Sequence, residues 1–504
     1  MHSDAGDRSN DAIRINGKDV RAKVIGEGAN LGCTQLGRIE YALLGGRNNT
    51  DAIDNSAGVD TSDHEVNLKI LMGGPLRRGE LAAEARDELL AQMTDEVAKL
   101  VLKDNYDQTL ALTVAEAFGA ADLDAYGRYM RDLEKRGRLD RAVEFLPDDA
   151  ELHRRAQAGR GLTRPEIAVL LAYAKLDLKA ELVASDLPDD PYFLPALTNY
   201  FPPEAVERLG EELQRHRLRR EIITDGVTNS LVNLAGPLFV ARMKEMSGAT
   251  EARVVRAFTV ADAAFGFSVL KKRIDALDLK MDAKLQTSMY GDIARVLRRL
   301  GLWFITNVPS NANLAETVVL YRDAAEKLRG TFSTLVSPFE AHDTEARIAE
   351  LEKAGAPHDV AEEVAVLRLM AGLPEIALLA HNKQFDLDLV AGAYFAMGQT
   401  VGIDRLRGRA ARVTAAEHWD RLAIRRIVDD LFAGQRGLTA AALKAVTGEK
   451  GRAAGAEAVK QWANAHADAL ERATSFLQAL DATGDITVAK LTLANSQIHE
   501  LAAR

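Results

Sequence analysis

Apolar residues recur at helical spacing over most of this chain. Leu81, Ala85, Leu89, Met93, Val97 and Leu100 stay on one helix face, so residues 79–105 and 108–126 are expected to be long helices. Thr163-Arg164-Pro165-Glu166 has the form of a capping box with proline in the first turn, which predicts a helix over 164–184. Further amphipathic helices are expected at 205–232, 251–277, 282–306, 313–328, 343–354, 359–370, 386–401 and 415–432. The glycines of 451–455 read as a flexible joint.

One stretch, 24–69, breaks the pattern: glycines, asparagines and acids crowd between short apolar runs. Ala22-Lys23-Val24-Ile25 reads as a short buried strand, and Gly26-Glu27-Gly28-Ala29-Asn30 follows it directly. In open α/β sheets ligands sit beyond the carboxyl ends of strands, where small residues let the backbone approach them. Asn30 offers a donor and an acceptor suited to a carboxamide. A plain turn would use the same residues. A second strand is expected near 51–53, followed by Asn55-Ser56-Ala57-Gly58 as a second loop. Ser62-Asp63-His64-Glu65 fits a capping box, starting a helix at 63 that Gly73-Gly74-Pro75 would end. Ser62 could cap that helix, or share a substrate carboxylate with its free amides. Asp60, Asp63, His64 and Glu65 lack any recognised ligand spacing, so no metal is expected there.

At 504 residues, two or more domains are expected. Hydrophobic residues at 47% and charged ones at 27% describe a soluble globular protein. A formal charge of −10 argues against a general binder of nucleic acid or of anionic membranes. With a single cysteine, Cys33, and neither a signal peptide nor a spanning apolar run, a cytoplasmic location is expected. The basic runs 215–220 and 405–412 read as solvated helix faces. No Ser/His/Asp arrangement, His-Glu-x-x-His, P-loop or strand-borne Gly-x-Gly-x-x-Gly is present.

Taken together, Gly-Glu-Gly-Ala-Asn-Leu-Gly (26–32), residues 35–41 and residues 49–69 closely resemble the large class of bacterial NAD-specific glutamate dehydrogenases. The resemblance continues through 161–176, 217–248 and 372–407. The run Thr-Asp-Ala-Ile-Asp-Asn-Ser-Ala-Gly-Val-Asp-Thr-Ser-Asp-His-Glu (50–65) is its most specific part.

The resemblance implies roles for these residues. Gly28, Ala29 and Asn30 fall in the loop that contacts the cofactor, NAD, near its nicotinamide half. Asn55 falls in the following cofactor-side loop, and Ser62 where the superfamily binds the side-chain carboxylate of glutamate. Compared with the small enzymes, Ala57 replaces a glycine and Asp63-His64 replace an aromatic pair. The implied reaction converts L-glutamate, NAD and water to 2-oxoglutarate, ammonium and NADH, in an enzyme that forms homo-oligomers. That family carries its dinucleotide fingerprint, catalytic lysine and catalytic aspartate upstream of this loop, and no lysine here matches the motif. No catalytic residue is therefore assigned, and the chain by itself is expected to be inactive.

The expected fold is mainly α: a remnant of an α/β dinucleotide-binding (Rossmann) domain, then a large all-helical region. Residues 1–145 would be the carboxyl-terminal part of the catalytic domain with its return helices, and 146–504 a helical carboxyl-terminal domain. The alternative is a non-catalytic helical interaction or regulatory protein that retains a remnant cofactor loop.

Overall fold

The computed structural model describes residues 6, 9–28, 32–331, 335–413, 418–444, 446, 448–482, 484 and 486–502. Among these residues the chain is all-helical and no strand forms. It divides into two compact units, Met1–Thr259 with Phe304–Ser310, and Val260–Trp303 with Asn311–Arg504.

The strand expected at 22–25 is reduced to one parallel bridge between Val24 and Arg47. The Ile25 amide donates to the Arg47 carbonyl at 2.9 Å, and the Arg47 amide to the Lys23 carbonyl at 3.0 Å. Val24 is 67% exposed, so the short apolar run expected to be a buried strand has no layer to cover it among the described residues. Helix α1 (Gln35–Leu43) follows, capped by the Thr34 hydroxyl, which accepts from the Gly37 amide at 3.1 Å. The second expected strand is also helical. Residues Asp51–Asp54 form one turn, α2, in which the Asp54 amide reaches the Thr50 carbonyl at 2.9 Å.

Helix α3 spans Ser56–Arg78, which corrects the expected start at residue 63. Asn55, not Ser62, flanks its amino end, so Ser62 lies inside the helix and caps nothing. Its hydroxyl donates back to the Gly58 carbonyl at 3.3 Å. Nor do Gly73-Gly74-Pro75 end the helix. Pro75 is buried, and a Cβ on Gly74 would meet Glu212 Oε2 at 2.7 Å, so that glycine admits a neighbouring helix. Termination falls to Gly79, whose φ of 71° is left-handed.

Next come α4 (Ala83–Gln92), α5 (Thr94–Phe118) and α6 (Ala120–Lys135). The breaks fall at Met93 and Gly119, not near 105–108 as periodicity implied. Gly119 takes φ 50°, and Gly161 packs on it so closely that a Cβ there would lie 2.6 Å from the Gly119 carbonyl carbon. After α7 (Asp149–Gln157), α8 (Arg164–Val183) starts from the expected capping box on Thr163 and Glu166. Arg155, 5% exposed, holds Glu166, 1% exposed, in a bidentate pair at 2.7 and 2.9 Å. This offsets what would otherwise be a buried unpaired carboxylate.

Several later helices fall where the periodicity placed them, as at Ala283–Asn307, His358–Met370 and Leu387–Val401. The span expected at 251–277 is divided by Gly266, at φ 73°. The supposed joint at 451–455 is instead the start of the helix Arg452–Ala465. Gly455 is buried against a neighbouring helix: a Cβ there would lie 2.1 Å from the Leu389 carbonyl oxygen, and one on Gly392 2.2 Å from the Arg452 carbonyl oxygen. Glycine serves close helix packing at both positions. Gly392→Ala should therefore destabilise its unit by about 1–3 kcal/mol, the usual cost of overpacking. An unchanged denaturation midpoint would contradict the close approach.

No single described helix is long and apolar enough to cross a membrane. The pair His358–Met370 and Leu373–Lys383, bent by 57°, passes that test only together, and both helices are largely buried inside the protein.

Candidate functional site

The glycine-rich loop is braced from behind by a buried ion pair. Glu27 (8% exposed) points inward between Gly26 and Gly28, and its carboxylate accepts from Arg38 of α1, itself 2% exposed, and from the Gly32 amide. Arg38 also donates to the Asn49 carbonyl at 2.9 Å and to the Cys33 carbonyl at 3.3 Å. The Glu27 amide donates to Asp54 at 3.2 Å, and Asp54 accepts from the Asn49 side chain at 2.7 Å. Arg164, first residue of α8, completes the network by donating to Asn49, to Thr113 at 2.9 Å and to the Thr109 carbonyl at 2.9 Å. Loop, α1, α2, α5 and α8 thus share one chain of polar contacts.

Gly28 is exposed, and a Cβ on it or on Gly26 would meet nothing within 4 Å among the described residues. The fold itself does not demand glycine there. Ala29 and Asn30 lie outside the described residues. Asn55 is half-buried at the start of α3, its side chain folded over Gly58, where a Cβ would lie 2.8 Å from Asn55 Oδ1. Beside it, Ser56 accepts from Asn105 of α5 at 3.2 Å. Ser62 stands exposed nearly two turns further on. The loop, Asn55 and Ser62 are therefore positioned by the first three helices, but no bond links Ser62 to either of the others among the described residues.

On α3, Asp60 and His64 face α5 and α8. His64 is 1% exposed and stacks on Tyr200, ring centroids 4.3 Å apart, while the Tyr200 hydroxyl accepts from Asn67 at 2.9 Å. Burial, with Asp63 and Asp225 nearby, pushes the Asp60 carboxyl up to about 6. Lys175 of α8 donates to Gln108 at 2.9 Å. Burial pulls its ammonium down to about 8, against the attraction of Asp104, Asp107, Asp225 and Asp60. Periodicity gave no sign of this cluster, because its members come from three helices far apart in sequence. Glu27 did carry a local signal, being a charge between two glycines. Arg38 and Arg164 carried none.

The two basic runs are largely used structurally. Arg220 donates to the Val183 and Ser185 carbonyls at the end of α8, and Arg412 pairs with Asp343 at 3.0 Å. A cavity of about 410 Å³ between α6, α8 and the helix Phe239–Ser247 contains none of the residues flagged above. Its Arg136 and Asp177 are paired with each other at 2.7 Å.

Fold and site describe a helical protein whose amino-terminal unit presents a small-residue loop on a charged, buried brace. Residues 159–500 match the family described as glutamate dehydrogenase, C-terminal, and the chain belongs to that family. Residues 1–115 match the bacterial NAD-glutamate dehydrogenase catalytic domain. Similar proteins named NAD-specific glutamate dehydrogenase occur in Pseudomonas aeruginosa (37% identical, covering 99% of this chain and 31% of that protein) and Mycobacterium tuberculosis (37%, covering 99% and 30%). Another, from Halomonas elongata, is 38% identical over 92% of this chain and 28% of its own length. The chain spans about a third of the length of these relatives.

Proposed function

We propose that this chain forms the carboxyl-terminal part of an NAD-dependent glutamate dehydrogenase that oxidatively deaminates L-glutamate to 2-oxoglutarate and ammonium. The observation that carries the reading is the loop at 26–28. Its glycines face open space, which the fold leaves unexplained and a bound dinucleotide would use. Gly28, Ala29, Asn30 and Asn55 would hold NAD, which accepts the hydride when bound. Ser62 would donate to the glutamate side-chain carboxylate, for which its exposed hydroxyl is free to turn away from the long bond to Gly58.

Further support comes from the apolar side chains that the first 44 residues leave in solvent: Ile13, Ile15, Val24 and Leu44 are each at least 66% exposed. In the parent enzyme a parallel sheet of the dinucleotide-binding domain would cover these side chains. Residues 1–145 would complete that catalytic domain, and 146–504 would form the helical domain. On that division the hydrogen bond from Gln35 to the Pro165 carbonyl, 3.3 Å, would hold the start of the second to the first. Assembly as a cytoplasmic homo-oligomer belongs to the same reading.

A chimera tests it. Joined to the upstream portion of the Pseudomonas aeruginosa relative, this chain should support glutamate-dependent formation of NADH. The 504 residues alone should not, because they hold no match to the lysine motif or dinucleotide fingerprint. A folded chimera without activity would favour a non-catalytic helical protein. Activity of the highly purified chain alone would overturn the division of labour.

A further inference from the structure

We propose that Asp60, His64 and Asp104 bind a divalent transition-metal cation that clamps α3 to α5. The strongest observation is His64. The ring is 1% exposed, yet among the described residues neither nitrogen has a hydrogen-bond partner, and Asp60 Oδ2 beside it is also buried and unpartnered there. A buried imidazole with both nitrogens unsatisfied is costly and rare, and such groups ordinarily have a protein, water or ion partner. His64 Nε2 lies 3.7 Å from Asp60 Oδ1, too long for a hydrogen bond and suitable for two ligands of one ion.

The third donor comes from another element. Asp104 of α5 brings a carboxylate oxygen to the pair, so that one donor atom from each residue lies within 4.8 Å of the other two. Ligands about 2.0–2.2 Å from a common ion stand roughly 3–4.4 Å apart, which small side-chain rotations reach from here. Asp60 and His64 stand four residues apart on α3, one turn along the same face. The local spacing among 60–65 showed no metal pattern because the ligand that completes the set is forty residues away. Tyr200, stacked on the imidazole and held by Asn67, fixes the ring plane, and the ion would take one of the two ring nitrogens.

The donor set selects the ion. One imidazole with two carboxylates suits zinc and its divalent neighbours better than magnesium or calcium, which prefer all-oxygen shells. Asp104 is exposed, so water would complete the coordination. Lys175, Asp63, Asp107 and Asp225 also act on this cluster. Lys175 is the cation with which a metal must coexist, and Gln108 already holds its ammonium to one side. Ser62, two residues from Asp60, lies about 200° around the helix. The clamp is therefore structural and independent of the proposed glutamate site.

Chelator-treated 504-residue chain should be titrated with zinc and, separately, with cobalt(II), whose visible spectrum reports coordination. One zinc per chain is expected, with a raised Tm and a cobalt spectrum that zinc abolishes. Asp104→Asn, at an exposed position, should retain its far-UV circular dichroism and weaken binding at least about tenfold, as even outer partners of metal ligands do when lost. His64→Gln should remove binding altogether. If His64→Gln fails to fold, Asp104→Asn decides. Absence of saturable binding, or affinity unchanged by Asp104→Asn, overturns the site.

Discussion

Replacing Glu27 with alanine should destabilise the amino-terminal unit by about 3–5 kcal/mol. The substitution leaves the Arg38 guanidinium, 2% exposed, buried without its carboxylate, and it strips the Gly32 amide of its acceptor. Most of that cost is the stranded charge, not the net value of the pair. Converting both residues to apolar side chains of similar volume should therefore recover much of it. The molecule supplies its own control. Of the three tryptophans, Trp419 and Trp462 lie well inside the carboxyl-terminal unit, so with Trp303, at its boundary, replaced by Phe, fluorescence reports that unit. In denaturant, far-UV circular dichroism should show an earlier transition in Glu27→Ala while the tryptophan transition stays in place. A shift below about 1 kcal/mol would mean that Arg38 finds adequate partners in the Asn49 and Cys33 carbonyls alone.

Lys175 should make stability rise with pH in the alkaline range. Burial depresses its ammonium from 10.5 to about 8. Below pH 8 both folded and unfolded chains carry the proton, and the folded state bears the full penalty of the buried charge. Between pH 8 and 10.5 the folded chain has released its proton while the unfolded chain retains it, so the penalty fades as pH rises. The shift corresponds to about 3 kcal/mol. Tyrosines titrate near the same range, so the readout is the difference between wild type and Lys175→Met. At pH 7 the variant should be the more stable, and the gap should close by about pH 10.5. A difference that does not change with pH would place the ammonium in water.

Helices were legible where one apolar face runs their whole length, as at Ala283–Asn307 and Leu387–Val401, whereas the single helix expected at 205–232 is two, Pro203–Leu213 and Arg219–Ala235. The capping box on Thr163 is visible in four consecutive residues, and the structure forms it. The same four-residue pattern on Ser62 misled, because helix geometry was already established from Ser56 and nothing local reveals that a helix has begun earlier. Glycine misled in two ways. At Gly73, Gly74 and Gly455 it looked like a break, but close approach of another segment explains Gly74 and Gly455 inside helices. At Gly119 and Gly266 an actual break went unread within apolar periods that continue on either side. Val24 and Ile53 looked like strand residues because pattern records which side chains are apolar, not which neighbours are present to pair the backbone.

The site was partly legible for a similar reason. Residues 26–30, Asn55 and Ser62 stood out as an unusual local run. Asp104, Arg164, Lys175 and Tyr200 act only through packing between segments far apart in sequence, and Arg38, though within eleven residues of Glu27, reads locally as an ordinary basic residue of a helix.

The most direct measurement is the glutamate KM of the full-length chimera carrying Ser62→Ala. Ser62 is exposed and its hydroxyl bonds back to Gly58 at 3.3 Å, so the substitution should alter stability by no more than about 0.5 kcal/mol. Loss of one hydrogen bond to a charged carboxylate should raise KM by about ten- to a hundredfold, with the KM for NAD little changed. That result would place the glutamate side chain on this helix, as the account requires. An unchanged glutamate KM in a stable, active variant would contradict it.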